Sequence, residues 1–290
     1  MKNDKGICII SIDYEHAWGV SDKKNTPEHL ARIRNEVSIT ERLITLFEKY
    51  NIPATWAVVG KLLEERADND SAWSDTNGFI KRIQHSSAGH EIGSHSYAHI
   101  LYDAVDDADA KGDIGNAKLL HQKHSLPFNS FIFPRNREAH HTILKNHGIT
   151  SFRGRSRLWY YFLPYRLWAL GRGIDYWLPT AQTITPERHG SGLINIPDSL
   201  LLVSRRGIQK ILLPRQAVRK FVWGIRAAAK QKKIFHLWFH PSNFSYDTDT
   251  QFDIFENMLK YLACARDEGA IEVMTMGTCA ERYKQTNHAE

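Results

Sequence analysis

The sequence predicts an α/β fold: a (β/α) barrel of seven or eight units, with room for distortion or incomplete closure. Short apolar, β-rich runs recur along the chain, amphipathic stretches of helical period separate them, and no linker, internal repeat or low-complexity tract breaks the alternation. Such alternation sets parallel strands inside and helices outside, and seven or eight repeats suffice to curl the sheet towards closure. Residues 1–290 therefore read as one domain, long enough to bury a sizeable core.

The strand candidates, in order, are Ile7–Glu15, Ala54–Gly60, Glu91–Ser96, Ser130–Arg135, Ser151–Arg153, Leu193–Pro197, Ile234–His240 and Glu272–Met276. Between the first two, Ile39, Leu43, Leu46 and Tyr50 recur at spacings of 4, 3 and 4, one face of a helix that Pro53 stops. Phe252, Phe255, Leu259 and Leu262 recur at 3, 4 and 3 and make a second core-facing stripe. Pro214 is placed to open a helix running to about Lys232. One stretch breaks the rhythm: residues 153–177, RGRSRLWYYFLPYRLWALGRGIDYW, dense in aromatics and punctuated by arginines and Pro164. A helical excursion over the barrel mouth suits it, either as an aromatic flap packed on the core or as a peripheral patch touching acidic lipid.

Composition narrows the function classes. A hydrophobic content of 42 % with 24 % charged residues is that of a soluble globular protein. The net charge of +6 favours anionic partners, yet no Lys/Arg block or nucleic-acid motif accompanies it, so nucleic acid is not an expected partner. Cys8, Cys264 and Cys279 are odd in number and widely spaced, and read as buried reduced thiols. MKNDKG runs directly into a strand without a leader pattern, and no apolar run has the length of a membrane span. The expected location is the cytoplasm, at most the inner face of the membrane; oligomeric state is not legible.

Four short stretches carry residues suited to chemistry. In SIDYEHAWG (residues 11–19), Asp13 and Glu15 share one face of the first strand while Tyr14 and His16 point the other way. At the C-terminal end of a barrel strand this puts two carboxylates at the mouth, where they repel unless a cation or proton intervenes. In GHEIGSHSYAH (residues 89–99), His95 and His99 reach one side if the segment turns helically, and with one carboxylate they form a facial metal set. Fifteen histidines make chance pairs common, so the pair alone is a weak signal; His90 reads as structural, and His121, His124, His140 and His141 as helix-surface residues. In IFHLWFHPSNF (residues 234–244), His240 ends an apolar strand at the same mouth and is a candidate general acid, whereas His236, about 13 Å further down, is a core histidine. In SFIFPRN (residues 130–136), Arg135 at a strand mouth could clamp a carboxylate or an anionic substrate.

Taken together and in this order, these stretches resemble the polysaccharide deacetylase family (the NodB-homology domain, carbohydrate esterase family 4) over roughly residues 7–280. His95-Ser96-Tyr97-Ala98-His99 is similar to the family's H-S-x-x-H metal motif. The family's T-F-D-D-G first motif is altered here to Ser11-Ile12-Asp13-Tyr14-Glu15, a D-x-E variant. The resemblance implies Asp13 as catalytic base and Glu15, His95 and His99 as ligands of a divalent metal, zinc first, with cobalt, nickel or manganese as alternatives. The R-x-P-Y motif is poorly kept, and by position the backbone N–H of Arg135 would serve the oxyanion. Trp238-Phe239-His240 stands for L-x-H, with His240 as acid and Asp175 or Asp198 as its partner. Trp18, Asn136 and Trp238 are candidate substrate contacts. The implied reaction is removal of an acetyl group, N-acetyl ahead of O-acetyl, from a sugar precursor of surface polysaccharide carried on a nucleotide or polyprenyl. Two alternatives stay open: a metal-free ureide or imide hydrolase on the same scaffold, and a non-catalytic carbohydrate-binding member.

Overall fold

The computed structural model describes residues 4–22, 26–64, 70–155, 158–178, 182–207 and 213–286. Its strands are β1 (Gly6–Tyr14), β2 (Thr55–Val58), β3 (Glu91–Ser94), β4 (Ser130–Ile132), β5 (Ser151–Arg153), β6 (Glu187–Arg188), β7 (Ile194–Asn195), β8 (Leu200–Leu201), β9 (Ile234–Phe239) and β10 (Ile271–Val273). The helices are α1 (Pro27–Arg34), α2 (Glu36–Tyr50), α3 (Phe79–Gln84), α4 (Asp107–Lys123), α5 (His141–Asn146), α6 (Trp168–Trp177), α7 (Pro214–Gln231), α8 (Thr248–Asp267) and α9 (Met276–Thr286). The strands form one sheet in the order β6-β7-β5-β4-β3-β2-β1-β9-β8, with β10 added on β1, and every pairing except β6–β7 is parallel.

The first strand shows why the chain curls. Ile7 and Ile9 belong to an inner cluster with Ala57, Ile132, Ile194, Ile196, Ile234 and Met276. Cys8, Ile10, Ile12 and Tyr14 belong to an outer cluster shared with α2, α7 and α8. A strand apolar on both faces needs cover on both, which only a barrel interior on one side and a helix layer on the other provides. Closure is incomplete. The chain from β7 to β8 starts on β5, where Ile196 N–H donates to Phe152 O, and ends on β9, where Ser199 N–H donates to His236 O. It changes partners around Pro197, so this one kinked segment bridges the two sides of the ring.

The eight expected strands all occur, shorter at their ends than the apolar runs suggest, and β6 and β8 are additional. The two predicted stripes face the core on α2 and α8, buried except for half-buried Tyr50, and Pro214 opens α7. Two expectations are corrected. His121 is fully buried on α4, its Nδ1 2.7 Å from Pro127 O, because the inner face of that helix falls on it. Cys264 is exposed, while Cys8 and Cys279 are buried as expected. Among the described residues no helix is long and apolar enough to cross a membrane.

Candidate active site

The carboxyl ends of β1, β3, β5 and β9 converge on one group of polar side chains. Alternation along β1 turns Ser11 and Asp13 into the barrel, and Glu15 follows just beyond the strand's last residue. Tyr14 points outward, edge-on to Trp56 and His16. The chain then enters a short 3₁₀ turn, His16–Val20, that folds back on Glu15. Gly19 is required there: a Cβ at that position would meet Glu15 Oε1 at 2.1 Å.

His95 Nε2 lies 3.2 Å and His99 Nε2 3.0 Å from the same oxygen, Glu15 Oε2. The potential ligand atoms of Glu15, His95 and His99 all lie within 4.8 Å of one another. The histidine segment is not helical. It is an irregular loop with Ser96 (φ 69°) and His99 (φ 57°) in the left-handed region, and this conformation, rather than a helical turn, brings the rings together. The loop is held by Asp113 of α4, which accepts from Tyr97 N–H (3.0 Å), Ala98 N–H (2.9 Å) and the Tyr102 hydroxyl (2.9 Å). His95 Nδ1 sits 2.8 Å from Ile132 O, so it carries the hydrogen and leaves Nε2 with a free lone pair. Two imidazoles and a carboxylate aimed at one point, one ring with its tautomer set from behind, fit a divalent metal of the zinc type.

Asp13 is buried, 3 % exposed, and is gripped by an arginine. Arg153, the last residue of β5 and fully buried, donates from Nη1 to Oδ1 at 2.7 Å and from Nη2 to Oδ2 at 2.8 Å. Its other bonds go to Ser11 Oγ (3.0 Å) and Asn136 Oδ1 (3.1 Å), and its guanidinium lies 4.2 Å from the Trp238 ring centre. Burial alone would raise the Asp13 carboxyl; the positive charge of Arg153, with His95 and His240 behind it, outweighs burial and holds it below the usual aspartate value. For Glu15, burial is outweighed by His240, His95 and His99, which hold it well below the ordinary range. The same balance acts on His95 with the opposite sign: burial disfavours its charge, but Glu15 and Asp13 together raise its pKa.

His240 follows the last residue of β9. Its Nε2 is 3.7 Å from Asp13 Oδ2 and 3.5 Å from Glu15 Oε1. Its side chain, 24 % exposed, is the most open of the group. Asn243 Oδ1 accepts its backbone N–H at 2.7 Å and fixes the turn at Pro241. His236 is a core residue as expected, with Nε2 2.9 Å from Ser11 Oγ and its pKa pushed down to about 3, chiefly by burial.

The predicted residues divide. Asp13, Glu15, His95, His99 and His240 come together. Arg135 does not reach Asp13 with its side chain, which pairs with Asp22 at 2.5 Å on the surface; its backbone is left-handed (φ 54°). Trp238 is buried, its ring under Arg153 and its indole N–H on Asp198 (3.0 Å), so it supports the carboxylate–arginine pair rather than offering a free stacking face. Asp198 thus reaches His240 through that indole, whose ring centre is 5.5 Å from the imidazole, whereas Asp175 is occupied by Lys220 at 2.7 Å. Asn136 accepts from Arg153, and Trp18 donates to Trp73 O (2.9 Å) with Lys61 over its ring (4.5 Å). Sequence reasoning missed Arg153, Asp113 and Gly19 as parts of the site. Arg153 alone left a local signal, a charged residue at an inward-facing position of an apolar strand.

Comparison with known proteins follows this geometry. Residues 31–152 match the family described as polysaccharide deacetylase, so the resemblance read from the motifs is borne out. The match contains His95 and His99 and ends one residue short of Arg153. A peptidoglycan deacetylase of Helicobacter pylori is 33 % identical over 93 residues, 31 % of this chain and 27 % of that protein, so the chain aligns with about a quarter of this relative's length. A structure from Mycobacterium smegmatis assigned to the polysaccharide deacetylases superposes with TM-score 0.68 at 13 % identity, covering 99 % of this chain and 93 % of that one. The PuuE allantoinase superposes with TM-score 0.64 at 14 % identity over 97 % and 90 %. These superpositions bear out the distorted, incompletely closed (β/α) barrel.

Proposed function

We propose that this relative of the polysaccharide deacetylases is a metal-dependent hydrolase that removes an acetyl group, N-acetyl in the first place, from a sugar. The convergence of Glu15, His95 and His99 on one point beside Asp13 carries this reading. A divalent cation held by those three, zinc ahead of cobalt, nickel or manganese, would polarise the acetyl carbonyl and make its water acidic. Ionised Asp13, kept so by Arg153, takes the proton of the attacking water at Oδ2, the oxygen nearer His240. The backbone N–H of Arg135 donates to the tetrahedral oxyanion, a contribution of roughly 3 kcal/mol for a well-placed donor. His240, at the open side, gives its proton to the leaving nitrogen as the C–N bond breaks, yielding acetate and the free amine.

Ser11 and His236 brace Arg153 from below, while Asp113 holds the histidine loop. The substrate class we infer is an acetamido sugar carried on a nucleotide or polyprenyl, a precursor of surface polysaccharide, which suits the net charge of +6. With the site drawing on β1, β3, β5 and β9, we read residues 1–290 as one domain, acting in the cytoplasm at the inner membrane face. Metal content by mass spectrometry of protein purified without chelator tests the reading, beside acetate release from acetylated sugars. About one equivalent in the wild type, lost in a His95→Ala/Glu15→Ala variant, is expected. No metal after zinc is restored, and no acetate release, would return the mouth to metal-free hydrolysis of a ureide or imide; metal without any acetate release would favour a carbohydrate-binding member.

A further inference from the structure

The described residues expose ten large hydrophobic side chains, and eight of them fall between Trp159 and Leu178. On α6 the exposed face runs Leu170, Ile174 and Trp177, at helical spacing, with exposed Leu178 just after the helix, while Asp175 and Tyr176 on the other face are buried. Phe162 and Tyr165, each 80 % exposed, extend this apolar surface into the turns before the helix. The orientation is inverted for a globular protein, and it is held firmly. Lys220 of α7 pairs with Asp175 at 2.7 Å and donates to its backbone oxygen, and Trp159 Nε1 donates to Asp175 Oδ1 at 2.9 Å. Tyr176 hydroxyl bonds Leu201 O on β8.

Charge selects the occupant. From Arg153 to Trp177 the only acidic residue is Asp175, which is buried and paired, whereas Arg155 and Arg166 are exposed; Ser156 and Arg157 lie outside the described residues. Arg155 lies 5.3 Å and 5.4 Å from the Tyr161 and Trp168 rings, at the edge of the apolar surface. A second copy would bring like charges together on a chain already at +6. A bilayer with acidic headgroups accepts all three features: an apolar helix face, aromatic residues at headgroup depth and a basic rim. The segment leaves the barrel at the mouth, directly after Arg153, and α6 then packs along α7, where Lys220 holds it.

We propose that the exposed face of α6 and its preceding turns lies on an anionic lipid surface and holds the barrel on it. Resting on the hydrolase reading above, this makes the substrate an acetylated sugar whose anchor stays in that surface. The test is co-sedimentation with phosphatidylcholine vesicles, with and without about 30 % phosphatidylglycerol, at two salt concentrations. Wild type is expected to partition onto the anionic vesicles, less at high salt. Leu170→Asp with Ile174→Asp should lower partitioning at least about tenfold, since two apolar anchors are lost from the face that meets the lipid. Arg166→Glu should lower it by about fivefold or more. Both variants change exposed positions only, and should still release acetate from a soluble acetylated sugar. Absence of wild-type partitioning, equal partitioning of the double variant, or a wild-type dimer that the double variant dissociates would each overturn the docking. Binding is read without substrate, so a failure of docking and a failure of catalysis are told apart.

Discussion

Replacing Arg153 by methionine removes the cation from Asp13 while keeping most of the side-chain volume in a fully buried site. The two short bonds, 2.7 and 2.8 Å, place the charges about 4 Å apart, and at an effective dielectric of about 20 such a pair attracts by about 4 kcal/mol. With Arg153 gone, burial is unopposed except by His95 and His240, and the Asp13 pKa rises towards neutrality. A protonated base cannot take a proton from water, so kcat/KM should fall at the acid end of the profile, most at pH 5 and least at pH 7 and above. The acid limb of the pH–rate profile should move to higher pH. The assay is acetate release between pH 5 and 9, with thermal unfolding to separate lost fold from lost protonation state. Removing one partner of a buried pair costs about 3–5 kcal/mol, so the variant should also melt earlier. Arg153→Lys, which cannot donate along two parallel bonds, should fall between the two. An unshifted acid limb in a folded Arg153→Met protein would refute the reasoning, because Asp13 would then be held ionised by something else.

Two further outcomes are expected. Gly19→Ala places a methyl 2.1 Å from Glu15 Oε1, so Glu15 must move; metal affinity, measured by competition with a chelator, should drop about 10- to 100-fold while the melting temperature stays within a few degrees. Stability should also fall in mild acid. His16 and His121, both near 4, and His236, near 3, are buried with folded pKa values below the unfolded value of about 6.5. The unfolded chain therefore binds more protons as pH falls through 6.5, and three such groups cost about 4 kcal/mol per pH unit between about 6 and 4.5. Glu36, whose carboxyl burial pushes well up, offsets part of this. Denaturant midpoints measured from pH 7.5 to 5 would show the loss, and a flat profile would count against neutral burial of these rings.

Much of this was legible in one dimension because strands and helices print their periods on the sequence. Even spacing in Ile7–Glu15 separates Asp13 and Glu15 from Tyr14 and His16, and the structure keeps that division, with Tyr14 against Trp56 and Asp13 inside the barrel. The H-S-x-x-H spacing marked His95 and His99, though the irregular loop that joins them depends on Asp113, a residue on α4 with no local mark of that duty. The choice between a flap and a patch at residues 153–177 also lay beyond the sequence, because it depends on which face of α6 meets Lys220 and Leu201.

What the sequence determined by itself was the alternation that makes a barrel, and the identity of the groups at the ends of β1, β3 and β9. Tertiary structure alone decided their partners. Arg153 lies 140 positions from Asp13, and Arg135, equally plausible by sequence, turns away to Asp22. Curling of the sheet brings β5 across from β1, and a buried carboxylate then takes a guanidinium whose fork reaches both its oxygens. Hydrophobic periodicity reports what a residue must hide from water; it carries no record of which distant strand will stand opposite when the ring comes round.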